Sequence, residues 1–452
     1  MKPLRSSALP VIALFAILMI LAATVIAKRD HRDPVPDNYE RYAYSLAVHG
    51  TFAEANGTQA PMPGMGRAPL VPFAFAAMAL LDDTYLAMLR CHVSGEGDCS
   101  WNDARSVHVA QMIAIGAAIL LLFRSMTLVG VAPWIAVVVA ALPAREFLKI
   151  AWQYRSSEPL ALLCAALLVF CLARWFGGRG TWKSLAAAGI AVALLSLSRV
   201  AYLYLVPLLA LAVLAVPPRG ATFSLSRRIA PAIAVLVAAC TLLAPWILRN
   251  QVLFDRPAIG GAGVDGVLAK RTMYNRMTVE EAGAAMLLWM PDLVSQPARK
   301  TLPQHLQDRV SLTHPTSIRS EGWAYVARMR QEVPDEAERH AVMLRAMLED
   351  PVRHALVSVP MAVRGLRDVW IFVPLTLVAM FLAVRRREWW VLGVLVPALF
   401  TLAFHAGATH FRARYGLPMT FGFAWATGWA SMQLLASYRS RRARPASLEA
   451  AR

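Results

Sequence analysis

The chain has 452 residues, 58% of them hydrophobic and only 16% charged, with a formal net charge of +18. A soluble chain of this size carries about a quarter charged residues, so the composition excludes an ordinary soluble protein. The positive charge does not argue for nucleic acid, because Lys and Arg gather at the ends of apolar runs, where membrane orientation accounts for them.

A helix needs about 20 apolar residues to cross the hydrocarbon core of a bilayer. About ten runs are candidates: 8–27, 107–123, 129–144, 158–173, 184–198, 201–216, 229–248, 369–384, 389–407 and 415–436. The run 69–81 is too short to cross and reads as an interfacial or re-entrant helix. The expected fold is an all-α polytopic membrane protein with external amphipathic helices and a small external helical insert. Lys2 and Arg5 ahead of the first run also fit a cleaved signal peptide. The length of that run, and the lack of a small-x-small site before Lys28, favour a retained helix.

Orientation follows Lys and Arg in the short loops. With the N-terminus in the cytoplasm, Arg124, Arg174, Arg179, Lys183, Arg219, Arg227, Arg228 and Arg385 to Arg387 all face inward. Ten spans return the basic tail, 439–452, to the same side. The expected organisation is then an N-terminal membrane region, 1–255, containing a first external loop, 28–106. An external helical insert, 256–368, and C-terminal transmembrane helices, 369–438, follow. The expected location is the cytoplasmic (inner) membrane.

In the first external loop, Tyr39, Tyr42, Ala43, Leu46 and Ala47 recur at helical spacing. They predict an amphipathic helix over 38–49 that lies on the membrane surface and ends at Gly50. Asp37 stands at its start, where a carboxylate caps a helix. Gly and Pro make 56–69 a loop. Cys91 and Cys99, close in a Gly-containing segment, favour a disulfide in an oxidising compartment. A zinc site with His92 is the alternative. In the insert, 278–290, 321–331 and 335–349 read as helices separated by prolines.

Four separated segments carry polar residues that a plain helix bundle does not need. Asp37-Asn38-Tyr39-Glu40 follows the first span, and Ser157-Glu158-Pro159 heads a later one. Pro245-Trp246-Ile247-Leu248-Arg249-Asn250 ends another, and His410-Phe411-Arg412-Ala413-Arg414-Tyr415 precedes the last. The predicted topology puts all four on the side away from the cytoplasm. Each has a structural reading: a cap for Asp37, helix-dipole complementarity for Glu158, an interfacial anchor for Arg249, and a satisfied polar side chain for His410.

Their order resembles that of the C-type (GT-C) glycosyltransferases, specifically family 39 and its relatives, the protein O-mannosyltransferases and the lipid A aminoarabinose transferases. Asp37, Tyr42, His49-Gly50 and Arg67-Ala68-Pro69 resemble that family's first external loop. Glu158-Pro159-Leu160 resembles its Thr-Glu-Pro-Leu, and Pro245 to Asn250 resembles its Pro-Trp-x-x-Arg-Asn. Arg412 to Pro418 resembles its late Arg-Tyr-Arg-x-Pro. Asn38 stands where Glu is common.

The resemblance implies a GT-C-like fold and transfer of a sugar from a polyprenyl-phosphate donor to an extracytoplasmic lipid, glycan or protein. Asp37 is then the expected base for the acceptor hydroxyl, by family analogy. Glu158 is a second catalytic candidate that orients Asp37, contacts acceptor or helps hold a divalent cation. Arg67, Arg249, Arg412 and Arg414, with His410 and Tyr42, are the expected substrate-binding residues, since guanidinium groups grip phosphate oxygens. The competing expectation is a polytopic transporter or flippase of an anionic or lipid-linked substrate. Transporters place polar sites near mid-membrane, whereas the predicted spans are nearly free of ionisable residues at their centres.

Overall fold

A computed structural model describes residues 5–28, 39–57, 61–95, 104–221, 224–261, 263–409, 411 and 413–449. Every regular element among these residues is helical. In chain order the α-helices are α1 (Arg5–Ala27), α2 (Tyr39–His49), α3 (Leu70–Leu81), α4 (Asp83–Ser94), α5 (Arg105–Leu128), α6 (Pro133–Ala141) and α7 (Ala144–Gln153). Next come α8 (Glu158–Arg174), α9 (Trp182–Ser198), α10 (Leu205–Ala215), α11 (Ser226–Phe254), α12 (Val264–Asn275), α13 (Val279–Leu288), α14 (Asp292–Thr301) and α15 (Gln304–Val310). The last are α16 (Ile318–Glu332), α17 (Glu336–Leu348), α18 (Pro351–Leu366), α19 (Val373–Arg385), α20 (Trp390–Ala408), α21 (Ala413–Gly416) and α22 (Thr420–Glu449).

Six helical segments among the described residues are long and apolar enough to cross a membrane: Ala8–Ala27, Arg105–Leu128, Glu158–Arg179, Ser226–Phe254, Pro351–Arg385 and Trp390–Ala408. Leu70–Leu81, Trp182–Ser198 and Val200–Ala215 are apolar but shorter. The run 129–144 is not one helix. Gly130 turns the chain at φ +93°, α6 starts at Pro133 and spans nine residues, and Pro143 then heads α7. Nine residues rise only about 14 Å, less than half the hydrocarbon thickness.

The chain divides into two compact units. The first comprises Met1–Gly260, Pro374–Pro397 and Thr420–Arg452, and the second Gly261–Val373 and Ala398–Met419.

In the first unit α8 packs against both α5 and α9, and α9 and α10 pack on α11. The α9 to α11 contact is backbone to backbone. A β-carbon at Gly189 would lie 2.5 Å from the Val235 carbonyl oxygen, so a residue with no side chain is what lets these helices approach. The fully buried Trp425 of α22 donates its Nε1–H to Ser125 O on α5 at 3.3 Å. Helices α2, α3 and α4 form a smaller cluster around Ala43, Tyr44, Val71, Phe75, Tyr85 and Leu89. Asp82 starts α4 by accepting the Thr84 and Tyr85 N–H groups at 3.1 and 3.3 Å.

In the second unit α12 is central and packs against α16, α17 and α18. Its Arg271 is completely buried. Nη1 donates to Ala406 O at 2.7 Å, and Nη2 to Ser358 Oγ at 2.6 Å and His354 O at 3.0 Å. These acceptors are neutral, and burial brings the guanidinium pKa down to about 10. The helices of this unit start where local chemistry dictates. Thr278 and Glu281 form a reciprocal capping box on α13, and Asp335 and Asp350 cap α17 and α18.

Candidate functional site

The connection from α2 to α3 is held by a small set of directed contacts. Gly50, at φ +65°, ends α2 in a left-handed conformation open to glycine. Gly64 N donates to Phe52 O at 2.8 Å, and Gly66 N donates to the Tyr42 hydroxyl at 3.1 Å. Tyr42 projects from α2, is buried, and lies against Phe52 with ring centroids 4.7 Å apart. Burial, then Glu54, pushes its phenol pKa up. The Gly66 N–H and the Arg67 and Arg249 charges pull the other way without reversing it. The phenol is therefore neutral at physiological pH.

Arg249 reaches this connection from the end of α11. Nη1 donates to Gly64 O at 3.2 Å and to Asn250 Oδ1 at 2.6 Å, and Nη2 donates to Phe52 O at 3.3 Å. Its Cζ also lies 4.7 Å from the Trp246 ring centroid and 5.4 Å from that of Phe52, a geometry with cation–π attraction. A guanidinium has five N–H donors, so part of this fork has no acceptor among the described residues. The strand of chain after α11 folds back because Trp246 Nε1 donates to Ile259 O at 2.8 Å and Asn250 Nδ2 to Ala258 O at 2.6 Å. It brings Gly260 against Arg67, where a β-carbon would sit 3.2 Å from the Arg67 carbonyl carbon. The Arg67 Cζ lies 5.3 Å from the Tyr39 ring centroid. Tyr42, Arg67 and Arg249, separated by up to 207 positions (249 − 42), thus surround one loop.

The two carboxylates nearest in sequence to this region are both paired. Glu158, at the head of α8, meets Arg199, which follows α9, with Nη2 to Oε1 at 2.6 Å. Their side chains are 5% and 12% exposed, so Glu158 joins two helix ends and is largely closed to solvent. Glu40 pairs with Arg155: Nε to Oε1 is 2.6 Å and Nη2 to Oε2 is 3.3 Å, with both side chains almost wholly buried. The Arg155 Nη1 also contacts Met88 Sδ at 3.0 Å. Burial lowers the Arg155 pKa, an effect Glu40 and Tyr85 partly offset. Burial, then Glu40, raises the Tyr85 phenol well above its ordinary value. His92 is lowered by burial, then by Arg155 and Arg41.

The sequence marks Arg155 as a loop residue near the membrane surface, so this pair is a site that sequence reasoning missed. A signal was present. Glu40 lies three and four residues before Ala43 and Tyr44, on a buried face of α2. A carboxylate there needs a cation.

Several expected site residues, Asp37, Cys99, His410 and Arg412, lie outside the described residues. Cys91, near the end of α4, is disulfide-bonded. Arg414 belongs to the second unit, is exposed, and has its Cζ 5.9 Å from the Tyr415 ring centroid. The opposite relation there is stacking: His405 lies parallel to Tyr415 within 24°, centroids 5.0 Å apart. Of the expected residues, then, the first unit gathers Tyr42, Arg67 and Arg249, while Glu158 is engaged by Arg199. Among the described residues no group of three or more His, Cys, Asp or Glu side chains is placed to hold a metal ion. Compared with family models, with curated proteins and with solved structures, the chain matches none.

Proposed function

We propose that the chain is an integral-membrane glycosyltransferase that moves a sugar from a polyprenyl-phosphate donor to an extracytoplasmic lipid, glycan or protein. The observation that carries this reading is the convergence of Tyr42, Arg67 and Arg249 on the loop Gly64–Arg67, at the helix that Asp37 precedes by two residues. Two cations beside a neutral phenol suit an anionic leaving group. In the proposed reaction Asp37 takes the proton of the acceptor hydroxyl, whose oxygen bonds to the anomeric carbon. The bond from that carbon to the phosphate oxygen breaks, and the electron pair leaves with the phosphate. Arg67 and the uncommitted part of the Arg249 fork stabilise that growing charge.

The geometry also narrows the roles. Arg249 is tied to two carbonyl oxygens of the loop, so it shapes the loop as well as offering charge. Glu158 is held by Arg199, which fits a positioning role better than proton transfer.

The test compares envelope glycolipids and glycoproteins by mass spectrometry from cells carrying the wild type, Asp37→Asn or no copy of the gene. Loss of one glycan in both the deletion and the variant, with the variant still inserted and folded, is the expected result. A full complement of glycan in Asp37→Asn removes this mechanism. Accumulation of an unchanged lipid-linked sugar on one side of the membrane points to transport instead.

A further inference from the structure

Helices α10 and α11 leave a groove of about 320 Å³ between them. Ala210, Leu211 and Leu214 line it from one side, and Ile229, Ile233 and Leu236 from the other. The positions recur at helical spacing on both helices, so the groove follows their length. It exists because the facing residues at its base, Ala210 and Ala232, are small and buried, while Leu211, Ile229 and Ile233 stand at its rim half exposed. No polar side chain lines it.

One end is different. Arg228 is buried and its Nη1 donates to Leu214 O at 3.0 Å, so a guanidinium closes the groove where α10 finishes. Arg227 beside it is exposed. Residues 205–236 contain three arginines, Arg219, Arg227 and Arg228, and no acidic residue. An apolar slot that ends in uncompensated positive charge matches an amphiphile with a hydrocarbon tail and an anionic head. Ser226–Phe254 is itself a segment apolar enough to cross a bilayer, so such amphiphiles are the surrounding solvent. Basic residues next to a span attract anionic headgroups by about 1 kcal/mol each.

We propose that the α10–α11 groove is a binding site for one anionic membrane phospholipid. Its acyl chain lies along the alanine floor and its phosphate rests on Arg227 at the Arg228 end. The site does not depend on the transferase reading, and it concerns a resident lipid rather than a sugar donor.

The full chain, reconstituted in phosphatidylcholine vesicles, is tested with phosphatidylglycerol carrying a photoreactive acyl chain. Phosphatidylcholine with the same chain is the comparison, and cross-links are mapped by peptide mass spectrometry. Cross-links should concentrate several-fold on the peptides containing 207–214 and 229–236, more for phosphatidylglycerol than for phosphatidylcholine. Leu211→Trp, at the exposed rim, should reduce both lipids there. Arg227→Gln, exposed and remote from the packed core, should bring phosphatidylglycerol down to the phosphatidylcholine level; it decides the matter even if Leu211→Trp fails to insert. Cross-links spread evenly over all apolar helices, equal yields for the two lipids in the wild type, or protein-to-protein cross-links through the groove each overturn the proposal.

Discussion

Glu40 and Arg155 stand 115 positions apart in sequence and meet as a two-contact ion pair that solvent scarcely reaches. The pair fastens α2 to the connection between α7 and α8, and Met88 and Tyr85 of α4 complete its surroundings. Removing one partner strands a buried charge, which costs about 3–5 kcal/mol. Glu40→Gln and Arg155→Met are each expected to lower the thermal unfolding midpoint of the purified protein. The double replacement Glu40→Leu with Arg155→Met should recover much of the loss, because no charge is left unpaired. Equal instability of the single and double variants would show that something other than the pair holds this junction.

The loop around Gly64 should respond differently to its two supports. Tyr42→Phe removes the acceptor of the Gly66 N–H and is expected to cost about 1–3 kcal/mol. Arg249→Lys keeps the charge but replaces a fork by a point, which cannot hold Gly64 O and Phe52 O together. Limited proteolysis within 50–69 should therefore speed up more for Arg249→Lys than for Tyr42→Phe. The reverse order would mean that the phenol, not the guanidinium, sets the loop.

In the second unit Asp265 makes the stability depend on pH. Burial pushes its carboxyl pKa up, but Arg339, Arg330 and His340 more than offset this and hold it below the ordinary aspartate value. A folded-state pKa below the unfolded one adds stability above the unfolded value, near pH 4. That stability is lost as pH falls through the lower, folded value. Asp265→Asn should remove this acid limb and cost about 3 kcal/mol at neutral pH. Unfolding of wild type and variant by denaturant across pH 3 to 7, at about unit steps, checks both the sign and the window. Parallel curves would exclude Asp265 as the source.

Gly189 is the tightest test of the helix core. Valine there would drive a methyl-bearing carbon into the Val235 carbonyl and the Ala238 side chain. Separating α9 from α11 to admit it should cost about 1–3 kcal/mol. Gly130→Ala, by contrast, meets no atom within 4 Å and is opposed only by its φ of +93°. The unfolding midpoints should fall for both, but only Gly189→Val should also weaken the contact between α9 and α11, measured by cross-linking a cysteine pair across it.

Much of the secondary structure was legible in the residues themselves. The apolar runs mark α1, α5, α8, α11 and α20, because a helix that meets lipid must be apolar over its length. Gly50 ends α2, and Asp82, Thr278, Asp335 and Asp350 start their helices, because caps act over one turn of chain. Partner choice was not legible. Glu158 answers to Arg199, Glu40 to Arg155, and Arg271 to carbonyl and hydroxyl groups with no carboxylate among the described residues. Ion pairing falls off with distance through space, not with separation along the chain. Tertiary packing therefore decided which charges became structural joints and which, like those of Arg67 and Arg249, were gathered at one loop.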